Sequence, residues 1–188
     1  RFPNDAFYGG LLDPVGLQLQ QGELTLAPGL ENDEFADILV RRVVFLASVP
    51  EVASQSAKIN HFEAQLVARL AAAIYRQYDG TSGFRPALTL GIITPYRSQI
   101  APLGIPCLND ILVDTVERFQ GSERDVIIYS FCVNRTYQLK FLANLTEEGG
   151  VWIDRKLNVA LTRARKQLFM TGVPHLLRQN PIYADLLD

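Results

Sequence analysis

The 188-residue sequence is poor in the residue types that build several common functional centres. It has only two cysteines, Cys107 and Cys132, and two histidines, His61 and His175, and none of them has the spacing of metal ligands. We therefore expect no metal site and no histidine-based catalytic triad, and two unpaired thiols suggest a reducing compartment. No apolar run reaches the length of a membrane-spanning helix, and no signal peptide is visible.

Charge is also in short supply. Charged residues make up 20% of the sequence, hydrophobic residues make up 48%, and the formal net charge is −2. These values are typical of an ordinary globular domain and exclude a broad basic surface that would coat nucleic acid. Any contact with nucleic acid must therefore come from a local patch. The densest candidate patch consists of Arg155, Lys156, Arg163, Arg165 and Lys166.

A phosphate-binding loop of the form Gly-x-x-x-x-Gly-Lys-Ser/Thr is missing. The glycine pairs are Gly9-Gly10 and Gly149-Gly150, and neither is followed by lysine. The backbone cradle, lysine and Mg²⁺-binding hydroxyl that such a loop supplies cannot be built from this sequence.

Apolar runs alternate with helical patterns along the chain, which predicts βαβ units and a mostly parallel sheet. Strands are predicted near residues 42–47, 89–94, 111–116, 126–132 and 167–171, and helices near 60–78, 154–165 and 181–187. Residues 13–34 are rich in Gly, Pro and Gln, and we expect a surface loop or irregular crossing segment there. We predict one domain over residues 1–188, with an irregular leading segment at 1–41 and an α/β core at 42–188.

The helix predicted from Asn60 to Tyr78 is the clearest one. Asn60 can cap it, and the side chain of Glu63 can reach back to the cap in a capping box. Its predicted core stripe consists of Phe62, Leu66, Leu70 and Ala73. The insert at 134–154 is turn-rich, and we expect it to be mobile.

Residues 155–165 predict an amphipathic helix followed at once by a buried strand. An apolar stripe is formed by Leu157, Ala160, Leu161 and Ala164, and the opposite side carries Val159, Thr162, Arg163 and Lys166. A helix packed beside a buried strand would hold Arg163 in a fixed direction, and a fixed guanidinium suits recognition of a phosphate oxygen. An ordinary solvated helix face is the alternative interpretation.

Two further segments place polar residues after apolar runs. Residues 114–125 separate two such runs and contain Gln120-Gly121, a turn where backbone can approach a ligand, followed by Glu123. Residues 90–99 form an apolar strand that ends in Thr94-Pro-Tyr-Arg97. Ligands gather at the carboxyl ends of strands in open parallel sheets, so these residues are binding candidates.

Together these segments resemble the second RecA-like motor domain of superfamily 1 helicases. The similar branch includes the nonsense-mediated-decay RNA helicase and the nuclease-linked replication helicases. Residues 155–165 are similar to motif VI of that family, residues 115–125 to motif V, residues 91–99 to its strand-end motif, and residues 2–11 to the stretch after motif IV. The resemblance implies an α/β, RecA-like fold with helices on both faces of the sheet, of the P-loop NTPase kind but without its own P-loop.

The same resemblance implies roles for individual residues. Arg163 would be an arginine finger, and Gln120, Gly121 and Glu123 would line the same nucleotide cleft. Single-stranded DNA would be contacted by Thr94, Pro95, Tyr96, Arg97, Thr115 and Asn158. ATP and Mg²⁺ would be held mainly by a first RecA-like domain. We expect Arg163 to face the crevice that the strand-end turns share.

Several alternatives remain open. Glu123 could be an ion-pair partner of Arg124, Tyr96 could be a core aromatic, and Thr94 and Thr115 could be strand residues without a ligand. The domain could be a catalytically silent interaction or regulatory domain, and the nucleic acid could be RNA, although the wording of 115–131 favours DNA. The sequence begins at Arg1 and its only methionine is Met170, so we expect a fragment that has no ATP turnover alone. A bacterial cytoplasm or a eukaryotic nucleus would suit it.

Overall fold

Five short apolar strands pair side by side into one parallel sheet. The computed structural model describes residues 22–53, 56–101, 110–119, 122–148 and 151–188. The strands of this sheet are β1 (Val43–Ala47), β2 (Leu90–Ile93), β3 (Leu112–Asp114), β4 (Arg124–Ser130) and β7 (Ala164–Gly172). They are ordered β1-β7-β4-β2-β3, and every pairing is parallel. The predicted fold class, an α/β RecA-like parallel sheet, is confirmed.

Helices and one hairpin connect these strands within the described residues. The α-helices are α1 (Ala36–Leu39), α2 (His61–Asp79), α3 (Pro86–Thr89), α4 (Leu139–Leu142), α5 (Arg155–Leu161), α6 (Pro174–Leu177) and α7 (Pro181–Leu187). Single 3₁₀ turns occur at Arg97–Gln99, Val116–Phe119 and Thr136–Gln138. The antiparallel hairpin consists of β5 (Leu145–Glu148) and β6 (Val151–Asp154). The insert predicted to be turn-rich and mobile therefore contains regular structure in its described residues.

The central strand β4 shows why both faces of the sheet are covered. Ile127 and Tyr129 belong to an apolar cluster on one face, with α5 and the C-terminal helices. Val126 and Ile128 belong to a second cluster on the other face, with α2. Because successive side chains of a strand point to opposite faces, a strand that is apolar throughout needs helices on both sides.

Helix α2 begins as predicted and buries part of the predicted stripe. The side chain of Asn60 accepts a hydrogen bond from the backbone N–H of Glu63 at 2.9 Å, which confirms the cap. The predicted capping box is wrong, because the Glu63 side chain points into the core and is fully buried. Phe62, predicted to lie in the core stripe, is 54% exposed. Leu70 and Ala73 of the predicted stripe are fully buried and Leu66 is half-buried, so the prediction is confirmed over the middle of the helix and wrong at its first turn.

The described part of the leading segment packs on the α2 face of the sheet. Ala27, Leu30 and Phe35 are buried in the same cluster as α2. Gln77 fixes this segment, because its Nε2 donates to the carbonyl of Thr25 at 2.7 Å and its Oε1 accepts from the N–H of Ala27 at 2.9 Å. Residues 22–34 are therefore irregular but contribute to the core.

Helix α5 is shorter than the sequence predicts. It ends at Leu161, and Ala164 is the first residue of β7, where it pairs with Arg124 of β4. Strand pairing with β4 thus overrides the helical pattern of residues 162–165. Arg163 lies in the turn between α5 and β7, not on the exposed side of a helix. Among the residues described here, no helix combines the length and apolarity needed to cross a lipid bilayer.

Candidate nucleotide and nucleic-acid sites

Arg163 is held at the amino end of β7. Its carbonyl accepts a hydrogen bond from the N–H of Arg124 at 3.0 Å, which ties the turn to the start of β4. The guanidinium donates from Nε to the carbonyl of Val159 and from Nη2 to Thr162 Oγ1, both at 3.3 Å. These long, local contacts orient the side chain along the end of α5 and leave most of its donors available.

Three other cations of the predicted patch, Lys156, Arg165 and Lys166, are paired with carboxylates. Arg165 and Lys166 both pair with Asp125, at 2.9 and 3.0 Å. Lys156 pairs with Glu117 at 3.0 Å. Within the described ranges, by contrast, no ion pair involves Arg163. The half-buried guanidinium of Arg163 is therefore a positive charge without a carboxylate partner in the described part of the chain.

Glu123 lies beside this turn, immediately before β4. Its side chain is exposed, and its backbone carbonyl accepts a hydrogen bond from Arg124 Nη1 at 2.8 Å. No ion pair joins the Glu123 carboxylate to Arg124 in the described regions. Burial, together with the nearby charge of Arg165, lowers the pKa of Arg124. Gln120 and Gly121, also predicted for this cleft, lie outside the described residues.

The other predicted residues lie at the carboxyl ends of β2 and β3. Those ends are neighbours, because Ile93 pairs with Asp114 and the N–H of Thr94 donates to the Asp114 carbonyl at 3.1 Å. Pro95, Tyr96 and Thr115 are half-buried, and Arg97 is exposed. Thr94 is fully buried, and its Oγ1 has no hydrogen-bond partner among the residues that the structure describes. Only a movement of this turn would bring the Thr94 hydroxyl to a ligand.

The predicted residues thus form two groups at opposite ends of the sheet. Arg163 and Glu123 lie at the amino ends of β7 and β4, whereas Thr94 to Arg97 and Thr115 follow carboxyl ends. The expectation that Arg163 faces a crevice shared with the strand-end turns is therefore wrong. Asn158 is half-buried in the middle of α5, and its carbonyl accepts a hydrogen bond from the N–H of Thr162.

One segment of chain leads from one group to the other. Residues 115–123 start at the carboxyl end of β3 and finish at the amino end of β4. Phe119 packs closely against β2 at Gly91, where a Cβ would be 2.6 Å from Phe119 Cε1. Lys156 of α5 also holds this segment through Glu117. The described residues 115–119 of this segment are therefore fixed both to β2 and to α5.

Buried amides fix the loops at the carboxyl-end edge, and most of them belong to no pattern that sequence reasoning could detect. Asn60 Nδ2 donates to Asn134 Oδ1 at 2.8 Å, and Asn134 Nδ2 donates to the carbonyl of Ile59 at 2.7 Å. Gln99 exchanges two hydrogen bonds with the backbone of Asn60. These bonds join the loops that follow β1, β2 and β4. The edge is consequently a preorganised platform.

A buried carboxylate supports the same edge from below. Glu63 Oε1 accepts hydrogen bonds from Ser130 Oγ at 2.7 Å, from the N–H of Cys132 at 3.0 Å and from Thr171 Oγ1 at 3.0 Å. Cys132 has a φ of +50°, a left-handed conformation that costs energy for a non-glycine residue. Burial raises the pKa of Glu63 to about 7. Among the described residues, no group of three or more His, Cys, Asp or Glu is arranged to hold a metal ion.

Comparison with known protein families shows to which family this chain belongs. The profile of the AAA domain family matches residues 1–175. The chain belongs to this AAA domain family, within the superfamily 1 helicases. Over 200 aligned residues the AAA domain is 31% identical to the Arabidopsis thaliana Regulator of nonsense transcripts 1 homolog, covering 99% of this chain and 14% of that protein.

Two other relatives match the AAA domain over shorter stretches. Helicase sen1 of Schizosaccharomyces pombe is 36% identical over 107 residues, which is 53% of this chain and 6% of that protein. The Bos taurus DNA replication ATP-dependent helicase/nuclease DNA2 is 33% identical over 138 residues, which is 71% of this chain and 12% of that protein. The AAA domain therefore spans only a small part of the length of these relatives.

Proposed function

We propose that this AAA domain is the second motor half of an ATP-dependent superfamily 1 DNA helicase or translocase. The observation that carries the proposal is the guanidinium of Arg163. It has no carboxylate partner in the described part of the chain, although Arg165 and Lys166 nearby share Asp125. A cation left unneutralised beside paired cations is suited to an anion supplied from outside the domain.

The anion would be the γ-phosphate of ATP. The sequence has no phosphate-binding loop, so ATP and Mg²⁺ would be held mainly by a first RecA-like domain of the same protein. Arg163 would stabilise the charge that spreads over the phosphoryl oxygens during transfer, and Glu123 with Gln120-Gly121 would line the same cleft. An arginine in this role contributes about 10³–10⁵ in rate, or roughly 4–7 kcal/mol.

Single-stranded nucleic acid would lie along the carboxyl-end edge, away from the nucleotide. Pro95, Tyr96 and Arg97 with Thr115 would provide ring and cation contacts to the strand. Residues 115–123 connect the amino-end edge of the sheet to its carboxyl-end edge. Closure of the two motor halves on ATP would therefore shift Thr115 and its neighbours, which contact the nucleic-acid strand. Repetition of closure and opening would move the protein along the strand.

DNA is the preferred substrate of the proposal, and RNA is the alternative. The relatives carry both kinds of name: DNA2 is a DNA replication helicase/nuclease, and the human protein that is 36% identical over 113 residues is RNA helicase Mov10l1. The discriminating experiment is the ATPase rate of the full-length protein with single-stranded DNA and with RNA of matched sequence. A full-length protein that hydrolyses no ATP with either strand would favour a silent interaction domain.

The proposal is tested with Arg163→Ala in the full-length protein. We expect loss of nucleic-acid-stimulated ATP hydrolysis by about 10³-fold or more, because the transition-state charge loses its partner. Arg69→Ala is the matched control, since Arg69 is an exposed arginine on α2 that is paired with Glu34 at 2.9 Å. The control should retain the wild-type rate. Equal rates for both variants would refute the assignment.

A further inference from the structure

A pocket of about 260 Å³ opens at the carboxyl-end edge of the sheet. It is lined by Ala57, Lys58, Tyr96, Tyr137, Gln138 and Phe141. These residues come from three segments, which follow β1, β2 and β4. The pocket therefore lies on the same edge as the strand-end turns, and its size suits a single flat ring system better than a larger ligand.

The walls of the pocket are aromatic rings that water can reach. Phe141 is 71% exposed and Tyr137 is 52% exposed. The two residues are four apart along a continuous run of 3₁₀ and α-helix, so their side chains lie on one face of it. Tyr96 completes the aromatic lining. Exposed rings grouped around one cavity are typical of a binding site.

The polar group at the base of the pocket is already committed to the protein. Gln138 Oε1 accepts hydrogen bonds from the N–H groups of Asn134 at 2.8 Å and Arg135 at 2.9 Å. Its Nε2 donates to the carbonyl of Ala57 at 2.7 Å. The same bonds fix the loop after β1 to the turn after β4. The pocket is thus rigid and offers ring faces instead of free donors for reading base edges.

Two cationic side chains, those of Lys58 and Arg97, lie beside the opening of the pocket. Lys58 is exposed, and its Nζ lies 5.9 Å from the centre of the Tyr96 ring. Arg97, next to Tyr96 in the chain, has a side chain that is 67% exposed and makes a long ionic contact of 3.8 Å to Asp114. An apolar slot with positive charge beside it complements a molecule that joins flat rings to phosphates.

We propose that this pocket takes one unpaired base of the bound single strand, which stacks on Phe141 and Tyr137 while Lys58 contacts an adjacent phosphate. The inference rests on the proposed function and deepens it, because it names Lys58, Tyr137 and Phe141 as strand-binding residues. Binding here is independent of base identity, since every base has a ring face and Gln138 Oε1 already accepts two hydrogen bonds from the backbone.

The test separates base contacts from phosphate contacts. Affinity is measured by fluorescence anisotropy with full-length protein, using oligothymidylate of roughly 12 nucleotides and an abasic deoxyribose-phosphate strand of equal length. Phe141→Ala and Tyr137→Ala are compared with Leu88→Ala, an exposed apolar residue just before the amino end of β2. Phe141→Ala should weaken oligothymidylate binding by about 5- to 150-fold and leave abasic binding unchanged.

Lys58→Ala should behave differently. It should weaken both strands and reduce the slope of log K against log salt concentration by about 0.7, the value for one phosphate contact on a single strand. Leu88→Ala should change neither affinity.

The outcomes distinguish this inference from the function on which it rests. If Phe141→Ala and Tyr137→Ala leave both affinities unchanged, or weaken both strands equally, the base pocket is refuted while the motor proposal stands. If wild-type protein binds neither strand, both proposals fall. Retained abasic binding by the variants shows that they are folded.

Discussion

The buried carboxyl group of Glu63 should make the free energy of unfolding depend on pH in a specific way. Its pKa is about 7 in the folded protein, against 4.5 for an unperturbed glutamate, because burial disfavours the carboxylate. A folded-state pKa above the unfolded value means that the folded protein binds the proton more tightly. This contribution to stability is present in full below pH 4.5 and is lost as the pH rises to about 7. At 1.36 kcal/mol per unit, the loss amounts to about 3 kcal/mol.

The perturbation is Glu63→Gln, which keeps an oxygen for Ser130, Cys132 and Thr171 but cannot ionise. The free energy of unfolding is measured by urea denaturation at pH 5 and pH 8, for wild type, for Glu63→Gln and for the exposed control Glu34→Gln. We expect wild type and control to lose about 2.5 kcal/mol more than Glu63→Gln between these pH values, because part of the loss already occurs below pH 5. Identical pH dependence in all three proteins would refute the assignment of this proton to Glu63.

Other predictions follow from close packing and from the proposal that this domain supplies only one half of the ATP site. Gly91→Ala should destabilise the domain by about 1–3 kcal/mol in thermal or urea unfolding, because the new Cβ meets the buried ring of Phe119 at 2.6 Å. Unchanged stability would show that Phe119 does not pack there. Asp154→Ala should lower the free energy of unfolding by about 3 kcal/mol, since it removes the N-cap of α5 and the acceptor of the Tyr183 hydroxyl at 2.7 Å. The control is Asp185→Ala, on the exposed side of α7, which should leave the free energy of unfolding unchanged. The isolated chain of 188 residues should show no ATP turnover above buffer in a phosphate-release assay. Robust turnover would contradict the proposal that a first RecA-like domain is needed to hold ATP.

The sheet could be predicted because its signal is local. Runs such as Val126-Ile-Ile-Tyr129 are apolar throughout, and such runs form strands buried on both faces. The helix after Asn60 could be predicted from its cap and its apolar period. In each case the residues that decide the structure lie within one element.

The residues whose positions were predicted wrongly are held in place by partners that are distant in the sequence. The buried carboxylate of Glu63 accepts hydrogen bonds from Ser130 and Thr171, whereas Phe62, predicted to be in the core, is exposed. Arg163 left the helix because Ala164 pairs with β4. Helical periodicity does not encode either tertiary contact.

The candidate sites were predicted by motif and not by geometry. Motif resemblance selected Arg163 and Tyr96, but it did not reveal that they belong to opposite ends of the sheet. The amides that fix the carboxyl-end loops, such as Asn134 and Gln138, were missed because each bonds to backbone far away in the chain. The pocket walls were missed with them, since Phe141 lies in a segment without a recognised motif.

The most direct test of the central claim is the separation of kcat from nucleotide affinity in full-length Arg163→Ala. If Arg163 acts on the transferring phosphoryl group from a second domain, kcat falls by about 10³–10⁵-fold while the Kd for ATP changes by only a few-fold. A kcat within a few-fold of wild type, at saturating ATP and single-stranded DNA, would contradict the account.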